Sequence, residues 1–580
     1  MKTILRYKSF FAYSENAKKY FFTEFGDNVN IVYGRNTSGK STLIQAILYT
    51  FGINDVKTQL SEINNENPIY RLNCELKKDN KIINLTIIRD DENIYIKKDN
   101  ESVKSFFGIS GDSSVEHSKL KEYLSNLFGF NFLLQQKDTM TKASIETIFL
   151  PYYIAQSTGW VYLRKSFGGL EFYKNFKNDY LDYYLGIENN IDRLDKQKLE
   201  KERETYTNEI KFLSEIETKN DELVLTQLID ENFKNKAKSY IEEYQKKQDT
   251  LMEKEKEYVG KCNELSFYTA RLSVLNKVKR NHKKQNPENG NCPICKNQLT
   301  FSTEAVYNYQ QDMNDTEKQI DELKEKQKKI QSAIHSLNKI IQKLKKEIFD
   351  EYEIVKKYNE QNITFENWID NKSNSKLIEN ISLKLTALEA NLSKTNKNLG
   401  KYKTEKEIEE LRNQHDNKFA SIFKKYLKEL EVINKSMNKE HKYTTLYKSS
   451  IFPSQGVELH KTVLAHNFAF NQIIKNTEYV HRLPFLIDAI FKEDIDGGNK
   501  KLILDFVNRN IPIDTQLLVS IAYKEDEDKE IIYEYNKNNF NAKANLICIG
   551  DGTHTRAFLQ NYNNSHDDLL QNTFEIMEDI

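Results

Sequence analysis

Gly34-Arg35-Asn36-Thr37-Ser38-Gly39-Lys40-Ser41-Thr42 is a complete Gly-x-x-x-x-Gly-Lys-Ser/Thr loop. It follows the β-type run Asn28-Val29-Asn30-Ile31-Val32-Tyr33 and precedes Leu43-Ile44-Gln45-Ala46-Ile47-Leu48, which reads as a helix. Strand, loop and helix in that order are the context in which the motif binds a nucleotide. The N–H groups of the loop, from Gly34 through Asn36, Ser38 and Gly39 to Thr42, would cradle phosphates at the helix start. Lys40 would reach the β/γ oxygens, and Ser41 would hold Mg²⁺. ATP and Mg²⁺ are therefore the expected ligands.

Such a loop needs an acidic residue at the end of an apolar strand, and Leu483-Pro484-Phe485-Leu486-Ile487-Asp488 supplies one far downstream. Asp488 would hold Mg²⁺ through water; a buried strand followed by a turn is the blander alternative. Upstream of it, Pro453-Ser454-Gln455-Gly456-Val457-Glu458 opens a helix with the apolar face Leu459, Val463, Leu464 and Phe468. Ser454 and the Gly456 amide would meet a phosphate at that helix start.

Proline placement explains why these two halves lie so far apart. The seven prolines are Pro68, Pro151, Pro287, Pro293, Pro453, Pro484 and Pro512. A proline inside a helix costs about 3 kcal/mol, so the proline-free stretches 152–286 and 294–452 permit two very long helical regions. Ile320, Gln327, Ile334, Ile341 and Ile348 repeat every seven residues, interleaved with Leu323, Ile330, Leu337 and Leu344. That is a coiled-coil seam with one polar member. A second seam runs through Ile378, Ile381, Leu385, Leu388, Leu392 and Leu399, and the outgoing arm keeps the heptad at Ala237, Tyr244, Leu251, Tyr258, Leu265 and Leu272. The arms should fold back on each other as one antiparallel coil on the order of 150 Å long. Facing irregular stretches, 218–233 and 362–368, are expected to form a joint. Outside the coil, short β-type runs at 28–33, 82–88, 485–487 and 517–520 predict a single α/β head assembled from both chain ends. About 60 residues follow the last of these runs, which is small for a separate domain.

Between the arms lies Gly290-Asn291-Cys292-Pro293-Ile294-Cys295-Lys296-Asn297. A Cys-x-x-Cys is half of a tetrahedral zinc site, a redox pair, or two thiols in a turn. A redox pair expects a βαβ pattern, whereas both flanks here are helical. Zinc needs four ligands and this stretch offers Cys292 and Cys295, so the favoured reading is a site shared by two chains; His282 is a further candidate. Cys262, four residues after Tyr258, reads as a coil position.

Composition narrows the class. The chain is 38% hydrophobic and 30% charged, as suits long solvated helices. With 86 basic and 86 acidic residues, any DNA contact must come from local patches. Candidates are Lys277-Val278-Lys279-Arg280-Asn281-His282-Lys283-Lys284 and the group Lys424, Lys425 and Lys428, though a solvated helix face explains each as well. Five scattered cysteines are no secreted disulfide framework. No apolar run is long enough to cross a bilayer, and a cytoplasmic protein without membrane contact is expected.

The order of these parts resembles the SMC-like ATPases with a zinc hook, whose best known member is the ATPase of the double-strand-break repair nuclease complex. The resemblance covers the whole chain. It implies an α/β, ABC-type ATPase head assembled from N- and C-terminal lobes, with a long antiparallel coiled coil inserted and a zinc hook at its apex. The lobes would be 1–185 and 435–580, the arms 186–286 and 300–434, and the apex 287–299. Two chains would sandwich ATP between Gly34–Thr42 and Asp488 of one and Ser454-Gln455-Gly456 of the other. Gln156, in Pro151-Tyr152-Tyr153-Ile154-Ala155-Gln156, sits where the family's Q-loop glutamine lies and would join Ser41 and Asp488 at Mg²⁺.

The chain departs from the pattern in three places. The Glu that usually follows the Walker B Asp and activates water is replaced by Ala489, which leaves Glu493 or Asp494 to serve, with Asp496 as the D-loop residue. The switch histidine is replaced within Val519-Ser520-Ile521-Ala522, and Gln455 stands where Gly is common. Slow hydrolysis is therefore expected. These departures, and Tyr153-Ile154-Ala155-Gln156-Ser157-Thr158-Gly159-Trp160, look most like the SMC-like subunits of Lamassu-type anti-phage and anti-plasmid systems. That resemblance implies a homodimer that senses DNA without sequence preference and restrains a separate nuclease effector, with an accessory subunit; this chain shows no nuclease motif. The alternative is a double-strand-break repair ATPase with a nuclease partner.

Overall fold

In the computed structural model the run at 28–33 becomes the strand Val29–Arg35, and its neighbours come from the far end of the chain. Val29–Arg35 lies between Leu517–Tyr523 and Asn545–Cys548 in a five-stranded parallel sheet, which continues through Phe485–Ile487 to Tyr153–Ile154. Strands covered on both faces read as unbroken apolar runs, which is how 31–33, 485–487 and 517–519 appear in the sequence. The structure describes residues 2–218, 231–284, 302–360, 374–433, 440–550 and 558–579, apart from positions 80, 100, 110, 112–113, 137–138, 492–494, 513 and 524–527 within those ranges.

A second, seven-stranded antiparallel sheet runs in the order Gln560–Asn561, Lys19–Glu24, Ile4–Ser14, Pro68–Lys78, Lys81–Asp90, Asn93–Lys98, Lys104–Phe107. The helix Lys40–Thr50 is in contact with strands of both sheets. Nine of its eleven residues are buried, so it is apolar on nearly every side and reads as a core helix. One hydrophobic core joins both chain ends, with Phe10, Ile31, Leu43, Phe468, Leu486 and Val519 all at 1% exposure or less. The buried Gln516 stitches them together. Its Nε2 donates to the carbonyls of Tyr7 (3.0 Å) and Gly26 (2.7 Å), and its Oε1 accepts from the N–H of Tyr7 (2.8 Å). The residues after the last expected strand also belong to the head, because Asn545–Cys548 pairs with Val29–Arg35 and Gln560–Asn561 with Lys19–Glu24.

The chain divides into two compact units, the head just described and a unit spanning 194–402. Within the second, the helix Glu231–Lys284 packs along Thr303–Glu360. Ion pairs fix their direction: Lys279 meets Glu317 at 3.0 Å, Glu255 meets Lys345 at 2.7 Å and Lys247 meets Glu347 at 3.8 Å. Partners rise on one helix as they fall on the other, so the pair is antiparallel. Ile320, Leu323, Ile330, Ile334, Leu337 and Ile341 are buried in the seam. Gln327 is buried among them and donates from Nε2 to Thr269 Oγ1 at 2.8 Å. Farther along, Leu385 and Leu388 of Asn374–Leu399 are buried. Cys262 is half-buried on its helix. Cys292, Cys295, the expected joint stretch 362–368 and positions 219–230 of its counterpart 218–233 lie outside the described residues, while Thr218 ends one helix and 231–233 begin the next.

Candidate nucleotide site

The loop between Val29–Arg35 and Lys40–Thr50 is held in a shape that ordinary side chains resist. Thr37, a β-branched residue, adopts φ 64°, a left-handed conformation that recurs at functional sites. Gly39 caps the helix at φ 104°, and a Cβ there would meet Phe558 Cβ at 2.7 Å. At Gly34 a Cβ would lie 2.5 Å from Ser38 Oγ. The helix start carries no side-chain cap, so its first N–H groups face the loop's concavity, an anion-binding arrangement. Ser38 is buried, and its Oγ has no partner among the described residues. Asn36 is exposed on the loop and Thr42 half-buried in the first helical turn.

Lys40 folds back over the loop and donates to the carbonyls of Gly34 (3.1 Å) and Arg35 (2.6 Å). Burial pulls its ammonium down to about 8, an effect that nearby Asp488 partly offsets.

Four oxygens meet one turn away. Ser41 Oγ lies 2.8 Å from Asp488 Oδ1 and 3.0 Å from Gln156 Oε1, and Ser520 Oγ donates to the same Asp488 oxygen at 2.9 Å. Two acceptors thus compete for the single proton of Ser41. The other carboxylate oxygen, Asp488 Oδ2, is fully buried without a partner among the described residues. Burial raises the Asp488 carboxyl above its usual range, against the lowering pull of Ser41, Ser520, Lys40 and the N–H of Ala489. A hard divalent cation held by oxygen ligands relieves both the contested proton and the orphaned charge, so the residues present fit Mg²⁺. Adjacent parallel strands explain the convergence. Tyr153–Ile154 leads into Gln156, Phe485–Ile487 into Asp488, and Leu517–Tyr523 carries Ser520.

Ala489 lies just beyond, at φ 55°, with its N–H donated to Ser520 Oγ at 2.7 Å. Ser520, within the stretch Val519–Ala522 where a switch histidine was expected, therefore fixes the turn after the strand Phe485–Ile487, a role that no sequence pattern announced. Glu493 and Asp494, the candidate bases, lie outside the described residues. Asp496 caps the helix Gly497–Asn510, its Oδ1 accepting from the N–H of Asn499 at 3.0 Å. Ser454, buried, and Gly456, at φ 56°, stand at the start of the helix Gly456–Ile474, which has no side-chain cap. The structure thus brings Lys40, Ser41, Gln156 and Asp488 together, while Ser454 and Gly456 sit on a separate element.

Of the basic clusters, Lys279 is paired with Glu317 and Lys425 with Glu429 (3.7 Å). Among the described residues, no group of three or more His, Cys, Asp or Glu is arranged to hold a metal, and no helix is long and apolar enough to cross a membrane.

A P-loop strand set in a parallel sheet, an antiparallel sheet beside it and a long coiled coil inserted between the two halves define an ABC-type ATPase fold of SMC-like build. The chain is 23% identical over 607 residues to the Lamassu protein LmuB of Bacillus cereus (strain VD014), covering 99% of both chains. It is 23% identical over 574 residues to the Lamassu protein LmuB of Bacillus sp. (strain NCIM 5461 / CCTCC AB 2011126 / NIO-1130), covering 90% of this chain and 93% of that one. No family model matches the sequence. Among solved structures, a Pyrococcus yayanosii Smc head domain with a coiled coil and joint aligns over 99% of this chain and 100% of its own, at 12% identity and a TM-score of 0.42. The recombination mediator RecF aligns over 90% of this chain and 94% of its own, at 12% identity and a TM-score of 0.26.

Proposed function

We propose that the chain is the ATP-driven, DNA-sensing SMC-like subunit of a bacterial defence assembly, in which it governs a separate nuclease effector alongside an accessory subunit. The observation that carries the nucleotide part is the meeting of Ser41, Gln156 and Asp488 beside a buried Lys40. The similarity to Lamassu LmuB, near full length in both chains, supports the setting. Lys40 would leave its two carbonyl partners for the β/γ oxygens of ATP. Ser41, Gln156 and Asp488 would hold Mg²⁺, which neutralises phosphate charge when bound. The N–H groups of Gly34, Asn36, Ser38, Gly39 and Thr42 would bind the remaining oxygens.

Ala489 has no group to take a proton from the attacking water, so hydrolysis is slow and its base is Glu493 or Asp494. Ser454 and Gly456 of a second chain would complete each site, closing two heads on two nucleotides. Cys292 and Cys295 would share one zinc with the same pair in the partner, and a zinc content of one per two chains, lost in Cys292→Ser, is the expected count. DNA contact would rest on basic side chains of the coil and of the head's Lys424, Lys425 and Lys428.

Lys40→Ala tests the central claim. It is expected to abolish binding of a fluorescent ATP analogue and, in cells, protection against phage or plasmid. Protection that persists without nucleotide binding would overturn the reading.

A further inference from the structure

The loop that follows Gln156 is tied to three other elements of the head. Gly159 makes the first turn, its N–H donating to the carbonyl of Ala155 at 3.1 Å. A Cβ on Gly159 would stand 2.4 Å from the Ala155 nitrogen, so only glycine fits. The turn delivers Trp160 into the core at 2% exposure. There its indole Nε1 donates to the backbone carbonyl of Asp488 at 2.8 Å.

The flat face of the same indole lies on His460, with ring centroids 3.7 Å apart and planes inclined by 14°. His460 belongs to Gly456–Ile474, one turn after Ser454 and Gly456, and is buried. Its Nε2 hydrogen-bonds the carbonyl of Ile490, so that nitrogen carries the proton. The loop is also pinned to the approach to this helix: Leu163 N–H donates to Ser450 O at 3.2 Å and Arg164 to Ser449 O at 2.5 Å.

Trp160 and His460 therefore hold the carbonyls of Asp488 and Ile490, on either side of Ala489, while His460 rides on the helix that presents Ser454 and Gly456. Buried aromatic pairs shift between discrete packings rather than deforming smoothly, so displacement of one ring is felt by the other.

We propose that Trp160 and His460 are positioning residues that couple the Ser454–Gly456 helix to the Walker B turn of the same chain. Seating that helix on a partner's nucleotide then sets Asp488 and Ala489 for hydrolysis in the chain's own site. The inference rests on the nucleotide reading above. It adds that each site senses occupancy of the other through two stacked rings.

The test uses the full-length protein carrying Trp368→Phe, which leaves Trp160 as the sole tryptophan, since the chain has two. His460→Phe keeps a ring against the indole and removes the donor to Ile490; His460→Asn keeps a donor and removes the ring. Binding of the fluorescent ATP analogue should be unchanged in both, which also shows that both fold. kcat for ATP should fall about ten- to a hundredfold with KM unchanged, the range expected when a reacting geometry is loosened. ATP should change Trp160 emission in the parent and not in His460→Asn. Parental kcat in both variants, or an undiminished emission change, would overturn the coupling while leaving the nucleotide reading intact. A parent protein that binds no nucleotide would overturn both.

Discussion

The head and the coil hold their structure in opposite ways. In the head, hydrogen bonds such as Gln516 to Tyr7 span 509 positions of sequence, and one core draws on both chain ends. In the coil, Gln327 meets Thr269 across 58 positions, and burial is confined to a seam along two helices. Non-local pairing is slow to form and cooperative once made, whereas contacts of low sequence separation form early and open locally. The converging oxygens of Ser41, Gln156, Asp488 and Ser520 thus depend on a core that draws on both chain ends, while the described seam of the coil draws on two helices of its own.

The largest expected effect breaks that contrast if it fails. Phe468 is 1% exposed, with ring centroids 5.4 Å from Phe485 and 5.3 Å from Phe506. Phe468→Ala should destabilise the head by about 3–5 kcal/mol. Nucleotide binding should then fail at a lower temperature, followed with the fluorescent ATP analogue. Leu323→Ala in the coil seam should lower the coil's melting by circular dichroism and leave nucleotide affinity as it was. Equal loss of binding from both would show that the two regions are one cooperative unit.

A smaller effect sharpens it. Free Lys40 titrates near 8, and phosphate oxygens must raise that value on binding. Binding therefore takes up a proton above pH 8, and affinity should fall by at most about tenfold per pH unit as pH rises past that point. The stability term has the opposite sign. A lysine with a folded value near 8 and an unfolded value of 10.5 weakens the empty head below pH 8, and that penalty is relieved as pH climbs through the interval between them. Titrating nucleotide affinity and head melting in parallel should give curves that diverge above pH 8, with the helicity of the coil indifferent to both.

Much of this was legible in the sequence where the chemistry is local. Gly34 to Thr42 carries its meaning in nine consecutive residues, and Asp488 announces itself by ending an apolar run. The seam through Ile320 and Ile334 needed only a count of seven. The antiparallel sheet was harder. Ile4–Ser14 shows no clean alternation because its register shifts between Tyr7 and Ser9 and its second half is buried throughout. Ser520 was visible only as a histidine that was missing, since its bonds to Asp488 and Ala489 follow from the adjacency of strands Phe485–Ile487 and Leu517–Tyr523. Trp160 and His460 lie 300 positions apart, and no periodicity links them. The one signal was that tryptophan occurs twice in 580 residues.

Gln327 sets the coil's phase. Its neighbours in the seam, Ile320, Leu323, Ile330 and Ile334, are hydrocarbon, and its amide has one hydroxyl, Thr269, to answer it. Sliding the helices by one heptad would leave most of the apolar seam matched and strand that amide against carbon, at about 1–3 kcal/mol for the unsatisfied group. The leucines and isoleucines of the seam are interchangeable between heptads, so the alignment of the two helices is marked by polar contacts such as this amide and the Lys279–Glu317 ion pair.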